Sequence, residues 1–277
     1  MLRNAVKTAG LLFAALFLIG LGGCNTILEA INNGLTKVNK SLDADFKEEA
    51  KAEAVAQMEE KYGIDFEVHD IFREEFSNES TVWMHPVDNQ NIKFEVSLDS
   101  NNKVENDNFI GMKISNEITA ILKDNLPSGI EMAAIIYSFG DSNKSNEINQ
   151  TINENREKLG VNPINGESDK SVDTKSNLTL EEYIQAYDPE YFSGYMIVKD
   201  TGDITPEMFA EAFKKVYKAT SNRVFQVNVH FITPERYAEC HKGFTERLYT
   251  NSGFLSEFDN KEMGFQANEK GFFTYEP

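Results

Sequence analysis

The chain has 277 residues, and its 45 acidic and 27 basic side chains give a formal net charge of −18. This acidic balance argues against a nucleic-acid partner, because phosphate backbones are bound by clustered lysine and arginine. Its two cysteines exclude a disulfide framework and a four-cysteine zinc ribbon, whereas its 20 Phe and 10 Tyr are enough to build well-packed cores.

The first predicted element is a signal peptide over residues 1–23. Arg3 and Lys7 give it a positive start, and residues 9–23 are apolar or glycine. That length is typical of the apolar core of a signal peptide and is short for a membrane-spanning helix. The alternative is a retained transmembrane anchor.

The end of this segment, Leu21-Gly22-Gly23-Cys24, resembles the bacterial lipobox. Leucine stands three residues before the cysteine, and two small residues between them fit the narrow pocket of a lipoprotein signal peptidase. The resemblance implies cleavage before Cys24, a diacylglycerol thioether on its sulfur, and acyl chains that hold the protein on the extracytoplasmic face of the cell membrane. Cleavage removes two basic residues and no acid, which changes the net charge from −18 to −20.

Composition divides the rest of the chain into a stalk, two units and a linker. Residues 24–44 carry an apolar seam at spacings of three and four, which favours a membrane-proximal helical stalk that packs on its own domain. The alternative is a helix that lies on the membrane or pairs with a partner helix. Residues 45–140 and 178–277 contain alternating helix and strand patterns. Residues 141–177 are polar and indicate a linker or mobile insertion. We therefore predict an α+β fold, with helices packed on mainly antiparallel sheets in two units of similar size.

The first unit has the predicted order α-β-β-β-α-β. Apolar periodicity, Gly63 and Pro127 set its boundaries. The predicted elements are a helix over 45–62, an antiparallel meander of strands over 64–68, 81–85 and 92–98, a helix over 114–126 and a buried strand over 130–139. Residues 147–159 of the linker fit a solvated helix.

The second unit shows three helix starts. Thr179 and Glu182 have capping-box spacing, and Thr205-Pro206-Glu207 and Thr233-Pro234-Glu235 each place a cap, a proline and an acid in order. Strands are predicted over 191–199 and 225–231, followed by short terminal strands over 253–275 with turns at 259–260 and 268–271.

The run Lys61-Tyr62-Gly63-Ile64-Asp65-Phe66-Glu67-Val68 follows a charged helix. It resembles uncharacterised surface lipoproteins of Gram-positive bacteria, in which a helix that ends in Tyr-Gly leads into a strand with a central aromatic residue. These families bring no known catalytic residues, so the resemblance implies location and outline only.

Two short motifs resemble known sites but lack essential residues. Asp200-Thr201-Gly202 matches the aspartic-protease triplet, yet that site needs two carboxylates, and the sequence has no second copy. The acidic stretch Asp99–Ile110 has Ile at the twelfth position, where a calcium loop needs a bidentate Glu. A glycine turn explains the first motif, and we reject the second.

The histidines are the remaining candidates for chemistry. His69 and His85 fall on neighbouring predicted strands and could meet, and His69 and His230 lie on predicted polar faces. Solvent-facing strand positions are the ordinary interpretation, and a zinc site is the alternative. Cys240 precedes His241 on a predicted apolar helix face, which favours a buried thiol over a nucleophile. We therefore predict no catalytic residue, metal site or cofactor.

These patterns lead to one hypothesis and two alternatives. The hypothesis is a lipid-anchored, non-enzymatic surface lipoprotein that binds a protein or an envelope component. The first alternative is an envelope-acting hydrolase with an unrecognised carboxylate or histidine site. The second is the solute-binding lipoprotein of a transporter, which predicts repeated β-α-β crossovers in two lobes.

Overall fold

The structure is a computed structural model, and it describes residues 46–73, 80–140, 146–161, 175–246, 254–255 and 257–276. The lipobox and the stalk lie outside the described residues, so both stay predictions. Residues 1–52 and 53–277 form separate compact units. The described part has helices packed with two mainly antiparallel sheets, which confirms the predicted α+β class.

Strands and helices are numbered in chain order. The strands are β1 Phe66–Arg73, β2 Ser80–Pro86, β3 Phe94–Leu98, β4 Val104–Asp107, β5 Met132–Phe139, β6 Tyr191–Lys199, β7 Val224–Ile232, β8 Asp259–Asn268 and β9 Gly271–Tyr275. The helices are α1 at 46–62, α2 Phe109–Asn125, α3 Asn146–Leu159, α4 Leu180–Tyr187, α5 Ala210–Ala219, which a 3-10 turn at Pro206–Phe209 precedes, and α6 Pro234–Glu246. Within the described residues, no helix is both long enough and apolar enough to span a membrane.

The first sheet is an antiparallel meander in the order β1-β2-β3-β4. The three predicted strands are present, and a fourth, β4, follows a tight turn in the rejected calcium-loop stretch. Asp99 makes that turn, because its Oδ1 accepts hydrogen bonds from the backbone N–H groups of Asn101 (2.7 Å) and Lys103 (2.8 Å). Acidic side chains in this stretch therefore serve turn formation.

An aromatic cluster packs the meander against the helices on either side of it in sequence. Tyr62 ends α1, Phe109 begins α2, and their ring centroids lie 4.8 Å apart. Phe66 of β1 and Phe94 of β3 complete the cluster, with Phe66 5.2 Å from Phe109 and Phe94 5.0 Å from it. Edge-to-face and tilted pairs of this kind contribute about 0.5–1.5 kcal/mol each beyond the burial of their area.

The second sheet has the order β5-β6-β7-β8-β9. Neighbouring strands are antiparallel, except that β6 and β7 run parallel and are joined through α5. Strand β5 precedes the polar segment and pairs with β6 after it, from Met132 opposite Val198 to Phe139 opposite Tyr191. The predicted division into two units places these partners apart, whereas they are adjacent strands of one sheet.

One face of this sheet is covered by α5 and the turn before it. Phe209 lies 5.0 Å from Phe265, and Phe213 lies 4.9 Å from Phe225, measured between ring centroids. Alternate residues of β7, including Phe225 and Phe231, point to this face, as the alternation in the sequence predicts. The predicted turn at 259–260 is wrong by two residues, since the turn lies at 257–258 and β8 already begins at Asp259.

Helix α2 covers the free edge of the second sheet. The hydroxyl of Ser115 accepts a hydrogen bond from the N–H of Ile136 at 2.8 Å, and the hydroxyl of Thr119 donates to the carbonyl of Ala134 at 3.4 Å. Both backbone groups belong to β5, whose other side pairs with β6. These contacts satisfy edge groups that would otherwise be open to pairing with another chain.

Helix α3 lies in the segment that was predicted to be a polar linker. The helix itself is confirmed, but it packs against α4 and is not fully solvated. Ile152 and Arg156 are buried, and the Arg156 guanidinium lies 4.8 Å from the centre of the Tyr187 ring. An arginine can bury the carbons of its long side chain while its charged group contacts an aromatic ring or a carbonyl. The polar composition of the segment therefore does not reveal that α3 has a buried side.

Candidate functional site

A cleft of about 630 Å³ lies between the meander, α2, β5 and α6. Its volume falls in the range of small-molecule sites, roughly 300–1,000 Å³. Six parts of the fold contribute to its lining: β1, β2, the segment between β2 and β3, α2, β5 and α6. The lining residues are His69, His85, Gln90, Asn91, Lys93, Met112, Ser115, Asn116, Thr119, Ala120, Lys123, Ala133, Ala134, Ile135, His241, Phe244 and Thr245.

The charge of this lining is opposite to that of the chain. Three histidines and two lysines, His69, His85, His241, Lys93 and Lys123, face the cleft, and none of the described lining residues is acidic. The chain as a whole carries 45 acidic against 27 basic side chains. Positive groups that converge in a concave, low-dielectric site focus their field on its interior, which favours an anion there.

A β-bulge places His69 at the cleft. Val68 pairs with Met84 and Asp70 pairs with Trp83, so His69 is the extra residue in β1 and has no partner in the β2 register. A bulge bends its strand and redirects the extra side chain. His69 is exposed, as the sequence predicts for a polar strand position.

His85 enters the cleft from β2 and is buried. Its Nδ1 lies 3.2 Å from the carbonyl oxygen of Pro86, and its Nε2 lies 3.9 Å from a carboxylate oxygen of Glu67 on β1. These two groups orient the ring, and Glu67 is a neighbouring acid that does not line the cleft. The prediction of a solvent-facing His85 is therefore wrong, because Met84, His85 and Pro86 are all buried and the end of β2 is covered on both faces.

His241 reaches the cleft from α6. Burial lowers the pKa of its imidazole, and the positive charges of Lys123 and Lys93 lower it further, while Glu131 acts in the opposite direction. The Tyr237 ring lies 5.6 Å from the imidazole, one turn earlier on the helix. The lowered pKa follows from the surroundings of His241, because a second positive charge is unfavourable beside two lysines.

The uncharged polar side chains of the lining divide into two kinds. Ser115 and Thr119 are engaged with the edge of β5, and Thr245 donates to the carbonyl of His241 at 2.8 Å. Gln90, Asn91 and Asn116 bring carboxamide groups, which can both donate and accept hydrogen bonds. The cleft therefore combines positive charge with groups that suit hydroxyls.

The histidine predictions were only partly correct. His69 and His85 lie on neighbouring strands and do line one cleft, but His230 lies elsewhere, on β7. It is buried, not solvent-facing, with Nε2 3.7 Å from Glu262 and its ring 6.1 Å from that of Tyr195. His230 lies in the second half of β7, where every residue from Val229 to Ile232 is buried, so both faces of the strand are covered there.

The other sequence candidates have structural roles. Cys240 is fully buried, as predicted. In the protease-like triplet, Asp200 Oδ1 accepts a hydrogen bond from the N–H of Gly202 at 2.9 Å, and Gly202 has a φ of +82°. The triplet is therefore a glycine turn, as predicted. In the part of the chain that the structure describes, no group of three His, Cys, Asp or Glu side chains is placed to hold a metal ion.

Sequence reasoning missed Lys93, Lys123 and the role of His241. They lie far apart in the chain, on a loop and two helices. The two lysines look like ordinary surface positions, and His241 falls on the predicted apolar face of its helix. Only the packing of α2 and α6 beside the meander brings them to one cleft. A spacing-based search could not detect them, because the spacing carries no information about this packing.

Comparisons with known proteins inform the fold alone. No protein-family model matches the sequence, and no curated protein matches it. A solved structure of similar fold is that of a DUF5037 family protein from Ruminococcus gnavus ATCC 29149, with a TM-score of 0.52 and 11% sequence identity. The alignment covers 80% of this chain and 93% of that one. It supports the α+β assignment.

Proposed function

We propose that this protein is a lipid-anchored surface lipoprotein that binds an envelope component in the cleft without altering it. The observation that carries the binding role is a cleft with a basic and amide-rich lining on a strongly acidic chain. The ammonium groups of Lys93 and Lys123 repel each other in this cleft, which is unfavourable for the protein's own stability. Such clustering of positive groups is expected where a ligand of opposite charge compensates for their repulsion.

The anchor in this proposal rests on the sequence. Leu21, Gly22 and Gly23 supply the recognition segment and Cys24 the acylated thiol, and the net charge of −20 after cleavage repels anionic lipid headgroups. Acyl chains, each methylene worth about 0.8 kcal/mol, would outweigh that repulsion. Repulsion then favours a folded part held away from the bilayer, with its cleft accessible to the envelope.

The topology gives less support to a transporter's solute-binding lipoprotein. That class predicts repeated β-α-β crossovers in two lobes. Among the described strands, β6 and β7 are the parallel pair joined by a helix, and the meander and the other pairings are antiparallel.

The envelope hydrolase is the second candidate, because three imidazoles face one cleft. An imidazole can act as a general base or acid when it lies within hydrogen-bond reach of the reacting group. The two functions differ in what they leave behind. A binding protein releases its ligand unchanged, and a hydrolase releases two fragments.

Photo-crosslinking in intact cells tests the proposal. A photoreactive residue replaces Asn116, in the cleft, and the control places it at Lys214, on the exposed side of α5. We expect a discrete, intact envelope component on the cleft probe and none on the control. Equal labelling at both positions would contradict binding in the cleft, and a cleaved adduct would favour the hydrolase.

A further inference from the structure

We infer that the cleft recognises a hydroxyl-rich molecule that carries a phosphate group, that is, a polyol or sugar phosphate, and that it takes up a proton when this ligand binds. The inference rests on the proposed binding role of the cleft and adds the chemical class of the ligand. It is based on the charge and volume of the cleft, on the arrangement of its hydrogen-bond donors and on the position of His241.

Two acidic residues lie near the cleft but outside its lining. Glu67 and Glu131 are the carboxylates that act on its histidines, and each has a positive or ionisable partner. Glu131 Oε1 lies 2.6 Å from Nζ of Lys199, and a Glu67 oxygen lies 3.9 Å from Nε2 of His85. Neither acid belongs to the lining, so the ammonium groups of Lys93 and Lys123 are not neutralised from within the cleft.

The volume of the cleft excludes a lone ion as the natural ligand. About 630 Å³ is several times the space that one phosphate or carboxylate group fills, and it matches a small organic molecule. Beyond the charged groups, carboxamides from Gln90, Asn91 and Asn116 line the cleft. Each carboxamide can donate to and accept from a hydroxyl, so the uncharged part of the ligand should be rich in hydroxyl groups.

The donor geometry favours phosphate over carboxylate. The two ammonium groups and the ionisable imidazole come from different elements: Lys93 precedes β3, Lys123 lies on α2, and His241 lies on α6. Ammonium and imidazolium groups donate singly and from separate directions, which suits the several oxygens of a phosphate. Planar carboxylates are matched by the fork of an arginine, and none of the described lining residues is arginine.

The surroundings of His241 explain why the cleft takes up a proton when an anion binds. From its own helix the imidazole faces Tyr237, and the charges of Lys123 on α2 and Lys93 in the segment before β3 act on it. Glu131, just before β5, is the acid that acts on it. Glu131 forms an ion pair with Lys199 at the end of β6. Burial and the lysines hold the pKa of His241 below the ordinary 6.5 in the free protein.

A phosphate in the cleft reverses this balance, because a nearby anion stabilises the imidazolium. The pKa of His241 then rises on binding, and a proton is taken up at any pH between the free and bound values. His69 and His85 lie in the same cleft, and Glu67 beside His85 stays outside it. Affinity should therefore increase as the pH falls towards and below 6.5.

Titration calorimetry of the full-length protein in detergent micelles tests the inference with four probes. Glycerol 3-phosphate is the ligand probe, inorganic phosphate and glycerol are its halves, and glycerophosphoglycerol represents a phosphodiester within a polymer. We expect glycerol 3-phosphate or the diester to bind at least tenfold more tightly than inorganic phosphate, with no detectable binding of glycerol. The tighter of the two shows whether the source is a free monoester or a polymer.

Two charge variants locate the binding. Lys93→Gln with Lys123→Gln should weaken binding at least tenfold, whereas Lys214→Gln with Lys218→Gln, an equal change of charge on α5, should change it less than twofold. For glycerophosphoglycerol, whose phosphodiester keeps a single negative charge over this range, binding to wild type should be at least threefold tighter at pH 5.5 than at pH 7.5. Heats measured with this diester in buffers of different ionisation enthalpy should show proton uptake, which His241→Gln reduces.

The inference fails if none of the phosphate probes binds, if both double variants weaken binding equally, or if no proton is taken up. Circular dichroism melts of each variant show whether the fold is intact. A failure here leaves the proposed function standing if the cleft crosslinker still captures an envelope component. If phosphate binds but that crosslinker captures nothing, the proposed function fails and the ligand class survives.

Discussion

At the scale of single residues, glycine Gly194 shows how closely two backbones approach. A Cβ added to Gly194 would lie 2.0 Å from the carbonyl oxygen of Ile135, on the neighbouring strand β5. Real Cβ atoms do not come so near to a backbone oxygen. The pairing of β5 with β6, which forms the wall of the cleft, therefore depends on the absence of a side chain at this position.

We expect Gly194→Ala to destabilise the fold by about 2 kcal/mol or more, since backbone atoms of β5 have to move. Gly111→Ala is the matched control, because a Cβ there meets nothing within 4 Å and the residue lies in helix α2. That change should be neutral or stabilise by up to about 1 kcal/mol. Urea unfolding measures the free energy of unfolding of both variants. Equal values would contradict the close approach of the backbones of β5 and β6 at Gly194.

His241 gives a pH-dependent contribution to stability in the absence of ligand. Its pKa is lowered in the folded protein, so the unfolded chain binds more protons when the pH falls through 6.5. The folded state therefore loses stability on acidification, and this loss is complete below the folded pKa. In His241→Gln, we expect the decrease in melting temperature between pH 7.5 and pH 5.5 to be smaller than in wild type. A decrease as large as in wild type would refute the assigned pKa direction.

The histidines also show where residue-level prediction succeeds and fails. Placement on neighbouring strands predicts that His69 and His85 could meet, whereas the bulge at His69 breaks the alternation of β1. Alternation also does not say whether a face is covered. His85 and His230 lie where both faces of β2 and β7 are buried, at the C-terminal ends of these strands.

At the scale of elements, α2 stabilises β5 by covering its edge. We expect Ser115→Ala to leave the buried N–H of Ile136 without its acceptor, at a cost of about 1–3 kcal/mol. Ser128→Ala, at an exposed turn, is the control and should change stability by less than about 0.5 kcal/mol. Thermal melts of the two variants test this. If Ser115→Ala melts at the same temperature as wild type, another group accepts the hydrogen bond from the N–H of Ile136.

The two kinds of helix contact differ in how far the sequence predicts them. Thr179 and Glu182 form a reciprocal capping box at the start of α4, as their spacing predicts, because both partners lie within four residues. Ser115 and Ile136 are separated by 21 positions. Nothing local marks Ser115 as an edge contact, and a serine within a helix is typical of many surroundings.

At the scale of the whole molecule, the polar segment at 141–177 misled the division into units. Its composition hides the buried side of α3, and β5 pairs with β6 across it. The predicted classes of the elements and most of their boundaries are confirmed, because they follow from periodicity and helix-start chemistry. The pairing of strands distant in sequence is set by tertiary packing, which the sequence alone does not encode in any local pattern.

The proposed acyl anchor is also a property of the whole molecule. Cys24→Ser removes the thiol that the proposed acylation requires, so we expect the protein to leave the detergent phase in a phase-separation experiment. Cys240→Ser is the control, since that cysteine is buried in the fold. Partitioning of Cys24→Ser into detergent would show that the apolar segment is retained as a membrane helix.

Hydrogen exchange of the lipidated protein in micelles, with and without a solubilised envelope fraction, tests the central claim most directly. The segment 87–93 borders the cleft and carries Gln90, Asn91 and Lys93, whereas the exposed turn at 221–222 does not line it. We expect the envelope fraction to slow exchange at 87–93 and to leave 221–222 unchanged. Unchanged exchange at 87–93, with protection elsewhere on the protein, would contradict it.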